Sequence, residues 1–240
     1  SFNSGEILSS ESRLRIQSLV ALEIAILRAC AAEQGKELWR VINPQANKIP
    51  RVLGNCIGGG LHTKSENVPE FQEFLFSPKA DKFKDDKFLN LKAYELAGDI
   101  LKVKDKDFKQ EKNLENAWTT GLSNEQVLEI MEDVKGKIKE ESYDIDIGLD
   151  IAASSFLKGK SYDYRDGKKN TEEQIKYVLD LISKYKLAYV EDALHEEDFN
   201  GFSILNKLTK NCMICGDDLI CTQLERLKKA ASKSKQTTLF

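Results

Sequence analysis

A chain of 240 residues with 41% hydrophobic and 31% charged residues has the composition of a soluble α/β protein and enough length for one or two cores. Its 36 basic and 39 acidic residues, spread along the chain with a formal net charge of −3, argue against a nucleic-acid surface and for a small-molecule site. No stretch resembles a secretory signal, and the most apolar helix candidate carries Glu23 and Arg28 inside it, so neither export nor a membrane span is expected and the location is read as cytoplasmic.

The first element is a helix from about Ser10 to Gln34, stopped at Gly35 and apolar around most of its circumference, which predicts burial on several sides. Ile49 to Ile57 reads as a strand running into the Gly58-Gly59-Gly60 turn, and Phe71 to Ser77 as a second strand ended by Pro78; the two are expected to form a hairpin. Helical periodicity follows from about Lys87 to Lys104 and from Asn124 to Glu140, the latter behind the capping box Ser123-Asn-Glu-Gln126. Strand and helix then alternate. Strands end at Asp150, Glu191 and Asp217, and helices are expected from near Thr171, over Phe199 to Leu208, and over Thr222 to Ser232, the pattern of βα units in a parallel sheet. The polar segment from Gly159 to Gly167 reads as a solvated hairpin.

The cysteines Cys30, Cys56, Cys212, Cys215 and Cys221 are odd in number and sit in apolar runs, as reduced structural thiols do. Cys212-Met-Ile-Cys215 matches a C-x-x-C pattern. Residues three apart on a strand face opposite ways, so the pair is read as structural.

Asp150, Glu191 and Asp217 carry the chemistry. One acid after a strand is best read as a cap of the next helix. Three acids ending three consecutive parallel strands converge on one face of a barrel, where they can hold one hard cation.

These strands resemble those of the enolase family over nearly the whole chain. Ile147 to Phe156, Val190-Glu-Asp192 and Gly216-Asp-Asp-Leu219 are similar to the family's three magnesium-ligand strands, Gly58-Gly-Gly-Leu-His62 to its glycine turn with the active-site histidine, and Gln72-Glu-Phe74 to a substrate-contacting strand. Ala31-Ala-Glu-Gln34 looks like the end of the family's amino-terminal domain. The resemblance implies a partial (β/α) barrel over residues 49–240, preceded over 1–48 by the last helices of the amino-terminal domain. It implies a magnesium-dependent lyase that converts 2-phosphoglycerate to phosphoenolpyruvate in glycolysis, with Asp150, Glu191 and Asp217 as metal ligands. Glu115 matches the acid that protonates the leaving hydroxide, Glu73 and His62 assist it and touch substrate, and Gln72 binds substrate. A homodimer or a complementing chain is the expected assembly.

The resemblance has departures. Leu114, Asn116 and Ala117 replace the aspartate and glycines that flank the family's acid, which leaves Glu115 open to a reading as a solvated loop residue. His195 stands where proline is usual and is read as a loop residue. Thr237 to Phe240 looks like the start of a further strand that stops before the family's general-base lysine, so the chain is expected to hold the metal ligands and the acid side of the site only. The alternatives are another enzyme of the enolase superfamily, half of a split enzyme, or a non-catalytic binding or structural protein derived from an enolase. The first of these predicts a lysine pair in place of Gln72-Glu73, which the sequence lacks.

Overall fold

A computed structural model describes residues 10–63 and 67–233, with residues 10–17 as backbone alone. The strand expected at Thr237 to Phe240 lies outside the described residues. The chain divides into two compact units, Ser1–Pro50 and Arg51–Phe240.

In the first unit, helix α1 (Ser10–Glu33) ends where Gly35 takes φ +60. The Lys36 amide donates to the Ala31 carbonyl at 3.0 Å and the Gly35 amide to that of Ala32 at 3.1 Å, the C-terminal stop that a glycine makes accessible. The expected burial of α1 on several sides is not met. Leu19, Val20, Leu22, Ile24 and Ile26 are 43 to 56% exposed, while Ala31 is buried. Within this unit the partner of α1 is the five-residue helix α2 (Leu38–Ile42), which is too short to cover an apolar circumference of that length.

The second unit runs β1 (Gly54–Gly58), β2 (Glu73–Pro78), α3 (Phe83–Lys104), α4 (Asn124–Glu140) and β3 (Ile145–Asp150). A small sheet follows, β4 (Leu157–Lys158), β5 (Ser161–Tyr164) and β6 (Gly167–Lys169), then α5 (Thr171–Tyr185), β7 (Tyr189–Glu191), α6 (Phe199–Leu208), β8 (Met213–Cys215), α7 (Asp217–Ile220) and α8 (Leu224–Lys233). The main sheet has the order β1-β2-β3-β7-β8. Its β1 and β2 form the expected antiparallel hairpin, β2 and β3 are also antiparallel, and β3, β7 and β8 run parallel. The sheet is mixed and does not close on itself.

Local signals place these elements. Ser123 caps α4, its hydroxyl accepting from the Gln126 amide while its own amide donates to Gln126 Oε1 at 2.9 Å, so both orphan donors of the first turn are satisfied. Asn170 and Glu173 do the same for α5. Strand β3 is buried at every position and alternates, with Ile145, Ile147 and Leu149 on one face and Asp146, Gly148 and Asp150 on the other, and α4 packs against it. Leu149 has no exposed surface, and Leu149→Ala is expected to lower stability by about 2–5 kcal/mol in urea denaturation. A loss under about 1 kcal/mol would remove Leu149 from the packed core.

The segment from Gly159 to Gly167 is more than a solvated hairpin. It belongs to the three-stranded sheet and alternates, burying Tyr162 and Tyr164. Tyr162 Oη accepts from the His195 amide at 2.9 Å, and Gln174 Nε2 donates to Tyr164 Oη at 2.9 Å and to the Ala193 carbonyl at 3.0 Å. The sheet therefore props the loop after β7, in which His195 lies as expected. Two tyrosines two residues apart, each with an apolar ring and a polar tip, carry this role.

Candidate functional site

Strand register assembles the site. Glu73 at the amino end of β2 pairs with Asp150 at the carboxyl end of β3, and Asp150 pairs with Glu191 at the carboxyl end of β7, which pairs with Cys215 of β8. Partners in register point to the same face of a sheet, so three carboxylates line up side by side. Asp217 lies two residues past Cys215, at the start of α7.

Each acid is held differently. Asp150 accepts from Gln72 Nε2 at 2.8 Å through Oδ2 and from the Ala152 amide at 3.0 Å through Oδ1. Glu191 accepts from the Tyr189 hydroxyl at 2.5 Å. Asp192 accepts from the Asp218 amide at 3.2 Å through Oδ2, tying β7 to the turn after β8, while its buried Oδ1 has no hydrogen-bond partner. The backbone is strained here, with Ala152 at φ 48 and Asp192 at φ 43, left-handed conformations that non-glycine residues adopt only where their surroundings impose them.

The loop carrying Glu115 is fixed to β1 and α3. The Gly58 amide donates to the Trp118 carbonyl and the Trp118 amide to that of Cys56, both at 2.9 Å. The Trp118 ring stacks on Tyr94 at 4.9 Å, and its Nε1 donates to the Tyr94 carbonyl at 2.9 Å, so Trp118 is an anchor of the loop. Asn113 Oδ1 accepts from the Glu115 amide at 2.9 Å and the Ala117 amide at 3.0 Å. Asn116 sits at φ 61, which explains why asparagine can stand where the resemblance has glycine: it tolerates the left-handed region best among residues with a side chain.

This loop brings Glu115 to His62 and Glu73. Glu115 Oε1 lies 2.8 Å from His62 Nδ1, and Oε2 accepts from Asn55 Nδ2 at 3.0 Å. Ligand atoms of His62, Glu73 and Glu115 all lie within 4.8 Å of one another, and among the described residues no other trio of His, Cys, Asp or Glu is gathered so closely. Asp150 and Glu191 are register partners, Asp217 opens α7, and the three are not gathered so closely.

The acids of the row and Asp192 beside it share a raised proton affinity. Burial, followed by the hydrogen bond and charge of Glu115 and the charges of Asp150 and Glu191, pushes Glu73 up to about 8. Burial and then the Glu191 charge push Asp150 up to about 7, burial holds Glu191 above the usual carboxylate range, and Asp192 reaches about 8, burial again leading. A row of buried acids that repel one another is costly for folding and suits a divalent cation or a shared proton.

The sign of the resulting pH dependence is fixed. These acids bind protons more tightly folded than unfolded, so their contribution to stability is full below about pH 4 and declines as pH rises through the folded values, levelling above about pH 8. The metal-free protein is therefore expected to show a lower urea midpoint at about pH 8.5 than at about pH 6, and magnesium is expected to narrow the difference. A midpoint that holds or rises over that interval would contradict this account of the row.

Residues 46–240 match the family described as enolase, C-terminal TIM barrel domain. The chain belongs to the enolase family. It is 35% identical over 232 residues to the enolase of Archaeoglobus fulgidus, covering 95% of this chain and 57% of that protein. The enolase of Thermoplasma acidophilum is 34% identical, covering 92% of this chain and 55% of its own length, and that of Pyrobaculum aerophilum is 37% identical, covering 88% and 51%. The chain thus spans little more than half the length of the curated relatives it matches. The open mixed sheet is a partial barrel of the enolase type, with β1 and β2 as its opening hairpin.

Sequence pattern does not single out Tyr189, Asn55 and Asp192, which the structure places against Glu191, Glu115 and the Asp218 amide. The signal for Tyr189 is its place two residues before Glu191 on the same strand face. Asn55 contacts Glu115 across sixty positions of sequence, a pairing that spacing cannot reveal.

Proposed function

We propose that the chain carries the metal-ligand and acid portions of an enolase site that dehydrates 2-phosphoglycerate to phosphoenolpyruvate. The observation that carries this reading is the register-aligned row Glu73, Asp150 and Glu191 beside the His62 and Glu115 pair. Magnesium fits the site chemically: Asp150, Glu191 and the exposed Asp217 offer hard oxygen ligands, and the repulsion between buried Asp150 and half-buried Glu191 is what a divalent cation relieves. When bound, it would supply Lewis-acid neutralisation of the negative charge that develops on the substrate carboxylate as the adjacent proton leaves.

The remaining chemistry falls to side chains. Burial, with Glu115 beside it, pushes Glu73 up to about 8, a value at which its carboxyl group can give a proton to a departing hydroxide at neutral pH. Asn55 donates to Oε2 and orients the Glu115 carboxyl group, and His62 Nδ1 stands 2.8 Å from Oε1. Gln72 fixes Asp150 and is the neighbouring candidate for substrate contact. The general base is assigned, on the family resemblance, to a lysine outside residues 1–240, in the same protein or in a complementing chain. The exposed apolar side chains of α1 support a further partner, as in a homodimer. A cytoplasmic location is in keeping with the five free cysteines, and no described helix is long and apolar enough to cross a membrane.

One observation favours a second reading, a non-catalytic protein derived from an enolase. Leu114, where the family has an aspartate, is 79% exposed beside Glu115. Thermal stabilisation separates the two. An enolase site is expected to be stabilised by magnesium and 2-phosphoglycerate together by more than the sum of their separate shifts. A shift with magnesium alone and none added by 2-phosphoglycerate would favour the binding protein.

A further inference from the structure

The row of acids is held unevenly. Asp150 has two donors, Gln72 Nε2 and the Ala152 amide. Glu191, with one more rotatable bond, has one, the Tyr189 hydroxyl at 2.5 Å, and no other hydrogen bond among the described residues reaches its carboxylate. Tyr189 is itself fixed. It is 4% exposed, packs with Leu75, Cys215 and Leu53, and lies opposite Gly148 in the β3–β7 register. A Cβ added at Gly148 would stand 3.1 Å from Tyr189 Cβ and 3.3 Å from its Cδ1, so the missing side chain on β3 is what gives the ring its place. Ring and carboxylate lie two residues apart on one strand face, directed into the barrel interior.

We propose that Tyr189 is a positioning residue that orients Glu191 for a divalent cation, and that Gly148 is required because it admits the tyrosine ring. The proposal rests on the reading of Glu191 as a magnesium ligand. Ordering a glutamate side chain costs conformational entropy at each binding event, and a hydrogen bond to Oε2 from a buried, already ordered ring removes part of that cost while leaving Oε1 for the ion.

Tyr189→Phe keeps the ring and deletes only the donor, so packing and positioning are separable. Magnesium affinity of this chain and its variant is measured by titration calorimetry at neutral pH, with the metal-free melting temperature recorded for both. The expected result is a loss of affinity of about 10–100-fold with the melting temperature unchanged. Equal affinities overturn the proposal and leave the metal reading standing. A fall in affinity accompanied by a comparable collapse of the metal-free melting temperature assigns Tyr189 to packing and also overturns it. Absence of magnesium binding by the unsubstituted chain overturns the metal reading itself, and the proposal with it.

Discussion

Replacing Asp150 by asparagine is expected to raise the melting temperature of the metal-free protein at about pH 8 while weakening magnesium binding on the order of 100-fold. The two effects have opposite signs for one reason. Asp150 is buried beside Glu191 and in register with Glu73, and burial with the Glu191 charge holds its carboxyl up at about 7. Above that pH the folded protein carries a buried charge repelled by its neighbours, and asparagine removes it without changing the volume of the side chain. Asparagine still accepts from the Ala152 amide through its oxygen, and the Gln72 amide can turn to face the new Nδ2 with its own oxygen. On the proposed metal reading, a cation would lose one of three charged ligands, and affinity for hard divalent ions follows ligand charge. Calorimetry in both states tests this. A variant that is less stable without metal, or that binds magnesium unchanged, would show that Asp150 serves the fold and not a cation.

Gly59→Ala is the second large effect, expected to cost about 3 kcal/mol or more and to dislodge His62. A Cβ at this position would lie 2.2 Å from the Pro69 carbonyl oxygen and 2.6 Å from that of Phe71, both backbone atoms that cannot turn aside. The close approach exists because the Gly59 amide donates to the Gln72 carbonyl at 3.0 Å and the Gly60 amide to that of Pro69 at 2.9 Å, folding the turn against the chain just before β2. His62 follows within one short turn. Displacing the turn therefore moves His62 away from Glu115, and loss of stability should accompany loss of any synergy between magnesium and 2-phosphoglycerate. A variant with an unchanged urea midpoint would mean that the turn is looser than this packing indicates.

Much of this was written in local sequence. The Ser123 and Gln126 pair marked the start of α4 because capping satisfies donors within one turn, and Gly35 marked the end of α1 because a left-handed residue is needed there. The hairpin and the strands ending at Asp150 and Glu191 were legible from short apolar runs and their breakers. The strand-end acids could be nominated because the order of βα units brings strand ends together whatever the loops do, whereas His62, Gln72, Glu73 and Glu115 were nominated by the family resemblance.

Other features needed three dimensions. The burial of α1 was misjudged because apolar periodicity states what a helix can cover and not whether anything covers it. The segment after β3 looked solvated because its charges outnumber its tyrosines, yet Tyr162 and Tyr164 bury their rings on one face of β5. The sequence by itself determined most elements, the family resemblance and that Asp150 and Glu191 end strands, since these follow from contacts within a few residues; Asp217, expected to end a third strand, instead opens α7 because β8 stops at Cys215. Only the tertiary structure decided that Glu73 comes up against Glu115, that Asn55 reaches Glu115, and that Tyr189 rather than a backbone amide holds Glu191. Those depend on strand register and on distances of about 3 Å between residues far apart in the chain, and a shift of one residue in register would turn each of these side chains to the opposite face.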